Sequence, residues 1–539
     1  MTSMIVCPEP PAARIGGEIL ARGGNAADAA VAAAFAQGVA NPFLCGLSGT
    51  AILLHMDRGG RATVLNGECA IGSGSVPAAW VDTLGGRAET IGRFIVGNED
   101  NQIGPPSVMV PGFVATCWEL HQRLGSGRIS WAELLAPSIR LATDGFEVYP
   151  YIADAWSTRA DGQASARPGY PSLMDKFDRD PAARAIYLKD GSASYKAGDV
   201  LRQPAYGATL ERLARDGAED FYRGRIARIM AEDLMRRGSL VRSADLAGYR
   251  VVDQAPLTGT HGGMEIVTTP PPSPGVQILE MLAILEGLKF RDRVFDDPAT
   301  IDLLAQVMRA GFVDNTDIKA VLLEEAEAWA AMIMEPTRID GWTRRIARGD
   351  RISGSPERKS TGTTHLVVVD DAGAAISFTH SVGSVAGSGS VTPELGFLHN
   401  NFLGHFDPRS GRQMSILPGR RIGSGAPTIV RRNGDLRLVL GAPGGSRIIT
   451  AILQTLLHVI DHGLGADIAV AGHRIHSEED FLVHLEPGWP EEMRTGLQAF
   501  GNAVGWNRYQ ARVQAIQADE AGNLIAGADP RGGAVATGR

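Results

Sequence analysis

Gly362-Thr363-Thr364-His365 is the stretch of this chain with the most chemistry in it. A polar connector rich in Gly and Ser, residues 351–362, ends at a threonine that opens the apolar run Leu366-Val367-Val368-Val369. A second run, residues 375–379, follows the turn formers Asp370-Asp371-Ala372-Gly373, so the pattern reads as a β-hairpin. An internal threonine hydroxyl is a weak nucleophile, because it has no base of its own. Cleavage between Gly362 and Thr363 would free an α-amine beside that hydroxyl, with a pKa of roughly 8, near ideal for a general base at neutral pH. Threonine activated by its own amine is an established nucleophile arrangement. A turn centred near Ala372 also predicts that Thr363 faces Ser381, whose hydroxyl would orient it. The plainer reading is two β-branched residues starting a strand.

A second segment supplies donors. Asn433-Gly434 marks another hairpin, whose outgoing strand, residues 436–440, runs into Gly441-Ala442-Pro443-Gly444-Gly445-Ser446. A helix pattern follows, with Ile448, Ile449, Ile452, Leu453, Leu456, Leu457 and Ile460 on its apolar side. Glycines at a strand-to-helix junction let a ligand approach the backbone, and first-turn amides have no helical partner. The Gly444 and Gly445 amides therefore suit an oxyanion, although a tight turn alone would also call for glycine. No Walker-type or dinucleotide glycine pattern is present.

The bulk properties narrow the class. At 539 residues the chain has material for a large core and, as a soft prior, about two to four domains. Hydrophobic residues make up 44% and charged residues 21%, as in ordinary globular proteins, and the net charge of −8 argues against nucleic acid as a partner. The four cysteines, Cys7, Cys45, Cys69 and Cys117, form no CxxC pair and read as reduced, buried thiols. Residues 1–12 carry no basic segment followed by a long apolar one, so no secretion signal is expected and a cytoplasmic location is. No apolar run approaches the 18 or so residues of a membrane span.

The remaining elements frame these motifs. Residues 11–24 read as a helix ending at Gly23-Gly24, and Asn25 caps an Ala-rich helix over 26–37. Residues 51–54 read as a buried strand, and 114–124, 131–142 and 276–288 as helices. Residues 206–238 read as two amphipathic helices split by Gly217 and Gly224. Three other motifs are weaker. His473 and His476 have i, i+3 spacing, which could share a helical face, but no zinc-type ligand set accompanies them and they read as surface or core histidines. Glu324-Glu325-Ala326-Glu327 reads as a solvated face, and Arg420-Arg421 as a potential anion contact or a surface pair. No cofactor or metal is implied.

Taken together, the motifs resemble the gamma-glutamyltranspeptidases, self-processing N-terminal-nucleophile hydrolases. The resemblance runs through Gly23-Gly24-Asn25-Ala26-Ala27-Asp28, Val110-Pro111-Gly112, Pro270-Pro271-Pro272-Ser273, Thr363-Thr364-His365, Gly387-Ser388-Gly389, Asn400-Asn401, Ala426-Pro427-Thr428, Pro443-Gly444-Gly445-Ser446-Arg447 and Asp529-Pro530-Arg531-Gly532-Gly533. It implies an α+β fold, the four-layer αββα sandwich, made as one precursor cut before Thr363. Residues 1–362 and 363–539 would be the large and small subunits of one intertwined domain, with room for a homodimer of the processed heterodimer. Thr363 matches the nucleophile, Ser381 a hydroxyl that supports it, and Gly444 and Gly445 the oxyanion amides.

The departures concern the glutamyl-binding residues. The arginine that holds the substrate α-carboxylate is replaced by Gly67, and an asparagine after the supporting hydroxyl by Gly383. The acidic or amide groups that hold the α-amine, just past Asn400-Asn401, become Phe402 and His405, and a serine pair becomes Gly423-Ser424. Each lost charge-assisted hydrogen bond is worth roughly 1.5–3 kcal/mol. The expectation is an amidase or acylase acting on a small-molecule amide that is not a standard gamma-glutamyl compound: a small amidic acid such as oxamate, an acylated β-lactam or another N-acyl compound. One alternative is a true gamma-glutamyltransferase or glutathione hydrolase reading its substrate with Arg420, Arg421 or Arg447. Another is a non-catalytic relative used for binding.

Overall fold

Strand Gly362–Val369 is buried along both faces, and this decides the architecture. The computed structural model describes residues 2–76, 80–87, 94–160, 171–314, 325–354, 362–412, 414–478, 480–507 and 511–538. Residues 355–361 of the connector and Glu324 of the acidic run lie outside them. Side chains alternate along a strand, so successive residues serve different cores. Leu366 and Val368 join a cluster with Val31, Phe35 and Leu53. Val367 and Val369 join one with Ile52, Val267, Val439 and Ile516, which lies between two sheets.

The first sheet runs Val535–Gly538, Met4–Cys7, Gly362–Val369, Ala375–Gly383, Thr50–Met56, Ala62–Gly67, Val252–Gln254. The second runs Leu524–Ala528, Gln514–Ala518, Asp435–Gly441, Thr428–Arg432, Met264–Thr268, Leu257–His261. Helices Pro10–Ala21 and Ala26–Ala40 cover the first sheet's outer face. Helices Gly275–Gly287, Pro298–Asp314 and Arg447–Ile460 cover the second. The order is helix, sheet, sheet, helix, the αββα sandwich. Both sheets mix strands from before and after residue 362.

Alanine sets the spacing of the first helical layer. All 15 residues of Ala26–Ala40 are buried, and the helix opens with an Asn25–Asp28 capping box. Neighbours approach so closely that a Cβ on Gly16 would lie 2.4 Å from Ile5 Cδ1 and 3.3 Å from Ala33 Cβ. The Asn433-Gly434 turn has φ of +55° and +89°, the left-handed values a tight hairpin needs. All four cysteines are free and buried. Among the described residues no helix is long and apolar enough to cross a membrane.

One expectation is corrected. The region 206–238 holds three helices, Pro204–Asp216, Ala218–Tyr222 and Arg225–Arg236. Gly217, at φ +73°, and Gly224 each break the chain, and the stretch between them forms a short helix of its own. His473 and His476 share no helical face. Helix Ala466–Ala471 stops before Gly472, His473 is exposed, and His476 is buried in strand Ile475–His476. Glu325 and Glu327 are exposed around buried Ala326, as a solvated face requires.

Burial on both faces has a direct test. Val367→Asp and Val368→Asp point toward different cores, and each should cost several kcal/mol in denaturant unfolding. Tolerance of either one would be incompatible with a strand covered on both sides.

Candidate active site

The hairpin places Thr363 opposite Ser381, in the register the turn predicts, and pairs Gly362 with Gly383. The count slips by one residue between these pairs, leaving Val382 as a bulge opposite the Gly362–Thr363 bond. Ser381 is the hub. Its Oγ accepts from the Gly383 amide at 2.9 Å and from Thr363 Oγ1 at 3.3 Å, and donates its proton to the Gly362 carbonyl oxygen. The hydroxyl that would attack and the carbonyl it would attack thus share one partner. A donor on that carbonyl oxygen also polarises it toward attack.

Alternation sends Thr363 and Thr364 to opposite faces. Thr364 Oγ1 points at the helical layer and donates to Glu9 Oε1 at 2.9 Å. Glu9 is fully buried and also accepts from Asn41 Nδ2 at 2.7 Å and from Gln37 Nε2. Burial raises its pKa while the Gln37, Asn41 and Thr364 bonds oppose the rise. His365 faces the second sheet, between Thr379 Oγ1 at 2.8 Å and Ser377 Oγ at 3.2 Å. Desolvation lowers the His365, His380 and His399 pKa values to about 3, so all three imidazoles are neutral at physiological pH. Among the described residues, Ser381 is the side chain hydrogen-bonded to the Thr363 hydroxyl. Nor does any group of three His, Cys, Asp or Glu among them converge on a metal-sized site.

A pocket open to solvent joins Thr363 to the strand-to-helix junction. Gly445 and Ser446 line it, and helix Arg447–Ile460 contributes Ile448 and Ile449. Gly444 and Gly445 have φ of +141° and +66°, and a Cβ on Gly444 would lie 2.6 Å from Ala511 Cβ. Among the described residues neither glycine amide donates to a protein acceptor. Two free amides at the positive end of a long helix are suited to holding a developing oxyanion.

The candidate pocket residues divide. Phe402, His405, Gly423 and Ser424 line the pocket beside Thr363, with Pro272, Pro274, Met414 and Ile422. Gly67, Gly383 and Asn401 do not. Gly67 ends strand Ala62–Gly67 against helix Phe113–Leu124, and a Cβ there would sit 1.7 Å from Thr116 Oγ1. Gly383, at φ +102°, leaves room for Asn401 Oδ1, which a Cβ would approach to 2.3 Å. Asn401 turns to the adjacent loop, accepting from Ser384 N at 2.9 Å and donating to Gln102 O at 3.0 Å. Arg420, Arg421 and Arg447 line none of the pocket. Arg421 is held by Asn66 O at 2.8 Å and Arg250 O at 2.6 Å.

Sequence reading assigned no role to three buried charged side chains that frame this centre. Lys176 donates to Ser384 Oγ, Val385 O and Gly387 O at 2.7, 2.7 and 2.6 Å, fixing the glycine-rich loop after Ser381. Glu9 fixes Thr364. Glu68 accepts from Ser273 Oγ at 2.9 Å and Ser424 N at 2.8 Å. The available signal was a lone acidic residue at the end of an apolar run in Ile5-Val6-Cys7-Pro8-Glu9 and Val64-Leu65-Asn66-Gly67-Glu68.

A family model described as Gamma-glutamyltranspeptidase matches residues 12–538. The acylase ACY 1 proenzyme of Pseudomonas sp. (strain V22) is 32% identical over 519 residues, 93% of this chain and 87% of that protein. The glutathione hydrolase proenzyme of Escherichia coli (strain K12) is 28% identical over 549 residues, 98% of this chain and 90% of that protein. A crystal structure of cephalosporin acylase from Bacillus halodurans superposes with a TM-score of 0.87 at 25% identity, covering 99% of this chain and 95% of that one. The reading as a non-catalytic relative is set aside by these matches along nearly all of the chain. The chain belongs to the gamma-glutamyltranspeptidase family and is an enzyme, an amide hydrolase of that family's N-terminal-nucleophile kind.

Proposed function

We propose that this enzyme cuts its own chain before Thr363 and then hydrolyses N-acyl amides whose acyl group is uncharged and has no amino-acid head. One observation carries the reading. The pocket at Thr363 has an apolar wall of Phe402, Met414, Ile422, Ile448 and Ile449, and among the described residues no Arg, Lys, Asp or Glu lines it. A free α-carboxylate or α-ammonium taken into such a wall would lose its hydration without a counter-charge. An amidic acid such as oxamate meets the same objection. The identity with acylase ACY 1 proenzymes supports an acylase over a glutathione hydrolase.

Self-processing follows from the hub at Ser381. Thr363 Oγ1 attacks the Gly362 carbonyl carbon while Ser381 Oγ holds its oxygen. The Gly362–Thr363 C–N bond breaks, the nitrogen takes the hydroxyl proton, and an ester joins Gly362 to Thr363 Oγ1. Water cleaves the ester and leaves a Gly362 carboxylate and a free Thr363 amine. The resulting pieces, residues 1–362 and 363–539, stay interlocked. Strand Gly362–Val369 pairs with Met4–Cys7, and Ala375–Gly383 pairs with Thr50–Met56.

In turnover the new amine takes the hydroxyl proton as Thr363 Oγ1 attacks the substrate amide. The Gly444 and Gly445 amides hold the oxyanion, the leaving amine accepts the proton, and water resolves the acyl-enzyme. One such donor is worth about 3–4 kcal/mol.

Thr363→Ala should leave one inactive 57.1 kDa chain on a denaturing gel, where wild type gives bands of two-thirds and one-third that mass. Cleavage persisting in the variant would remove the mechanism. Ser381→Ala should slow processing by about 10²-fold, the typical cost of one oxyanion donor, as read by time-resolved gels. On processed enzyme, kcat/KM for an apolar N-acyl anilide should exceed that for γ-glutamyl anilide by about 10²-fold or more, two charge-assisted bonds' worth. The reverse preference would restore the glutathione hydrolase reading.

A further inference from the structure

Glu68 carries the next inference. It follows Gly67 directly, is fully buried, and lies behind the pocket wall. One oxygen does most of its bonding. Oε1 accepts from Ser273 Oγ at 2.9 Å, from the Ser424 amide at 2.8 Å and from Ser424 Oγ at 3.4 Å. Ser424 and Gly423 line the pocket from one loop, and Pro272 and Pro274, which flank Ser273, line it from another. The two loops touch so closely that a Cβ on Gly423 would lie 2.0 Å from Pro272 O. Oε2 is buried with no partner among the described residues. The nearby cation, Arg421, spends its donors on Asn66 and Arg250 carbonyls. Hydrogen bonding to Ser273 and Ser424 alone would be served equally by glutamine, which has the same shape and no charge to bury.

We propose that Glu68 is a positioning residue, a proton-sensitive clamp that sets the spacing of the two loops walling the acyl pocket and so tunes acyl-group affinity. The proposal rests on the acylase reading of that pocket. The ionised carboxylate is the stronger acceptor for the Ser424 amide. Protonation, on the unpartnered Oε2, weakens that hold. Burial raises the Glu68 pKa to about 7, against the pull of Ser424, Ser273 and Arg421. The thiol of Cys69 and the phenol of Tyr249, whose hydroxyl donates to the Glu68 backbone carbonyl, are themselves pushed up by burial and stay neutral there. The clamp is therefore tight above neutrality and loose below it. Stability runs the other way. The folded chain holds a proton that the unfolded chain has released, so this contribution is present below the ordinary carboxyl range and is lost as pH rises through about 7.

The experiment compares processed wild type with Glu68→Gln and Glu68→Ala. For an apolar N-acyl anilide, Glu68→Ala should raise KM by about tenfold with kcat changed less than about threefold, the loss of one charge-assisted bond. Wild-type KM should rise as pH falls from 8 to 6, whereas Glu68→Gln should be flat; His405, the titratable side chain lining the pocket, is common to both proteins. Hydrogen exchange gives a readout free of catalysis: at fixed pH, a peptide containing Ser424 should exchange faster in Glu68→Ala than in wild type. Wild-type KM, pH profile and exchange in both variants would overturn the clamp. Faster exchange in an enzyme that turns over no N-acyl amide would overturn the acylase reading and leave the clamp standing.

Discussion

One hydroxyl, that of Ser381, governs the centre of this molecule. It has a single proton to give and gives it to the Gly362 carbonyl oxygen, while its lone pairs take the Gly383 amide and the Thr363 hydroxyl. That triple role requires Gly362, Thr363 and Gly383 to meet within hydrogen-bond distance of one oxygen. A regular antiparallel ladder would set Gly362 opposite Val382; the bulge there lets Gly362 pair with Gly383 while Thr363 keeps the regular pairing with Ser381. Flanking strands on either side and a core on each face hold the register, because slipping by one residue would exchange the apolar and polar faces. The sandwich's four layers are, in this sense, the support for one serine.

Much of this was legible because it rests on period and turn chemistry. Asp370-Asp371-Ala372-Gly373 fixes the turn, and an even period from it reaches Ser381. A strand running through glycines into an apolar helix face was enough to single out Gly444 and Gly445. The bulge at Val382 was not legible, since it alters register by one residue without altering any residue type. Nor was the fate of Gly67. The sequence shows a missing arginine there, but only the packing shows Thr116 Oγ1 filling the space. His473 and His476 show that three-residue spacing carries a helical meaning only inside a helix, since Gly472 ends that helix first. Gln37, Asn41 and Glu9 were unreadable as a group because 28 or more residues separate Glu9 from the others it binds.

The change at the pocket is one of dielectric as much as of contacts. A glutamyl-binding site must cancel both a carboxylate and an ammonium within a few ångströms. Here Phe402, Met414, Ile422, Ile448 and Ile449 occupy the wall, and the nearby guanidinium of Arg421 is turned away over the Tyr249 ring, 5.0 Å from its centroid. Taking the charged partners out and leaving apolar surface costs little when the ligand is itself apolar, since no charged ligand group is left without a partner. The same wall strengthens the electrostatics of the junction. In the proposed role, amides at Gly444 and Gly445 would act on an oxyanion more strongly where water is scarce.

Two buried carboxyls near the nucleophile show how differently the fold treats such groups. Glu9 has donors on both oxygens, from Gln37, Asn41 and Thr364, and is set under the first sheet where nothing enters. Its hydrogen bonds, with the Arg512 charge, oppose the cost of burial, which suits a permanent brace for the strand that carries Thr363. Glu68 is given bonds on one oxygen and left bare on the other. A group held that way can accept a proton without breaking what it already holds. The brace lies on the helical side of Thr364 and the half-satisfied carboxyl on the ligand side of Thr363. Under the proposed mechanism, rigidity is placed at Thr363 and adjustability at the pocket wall.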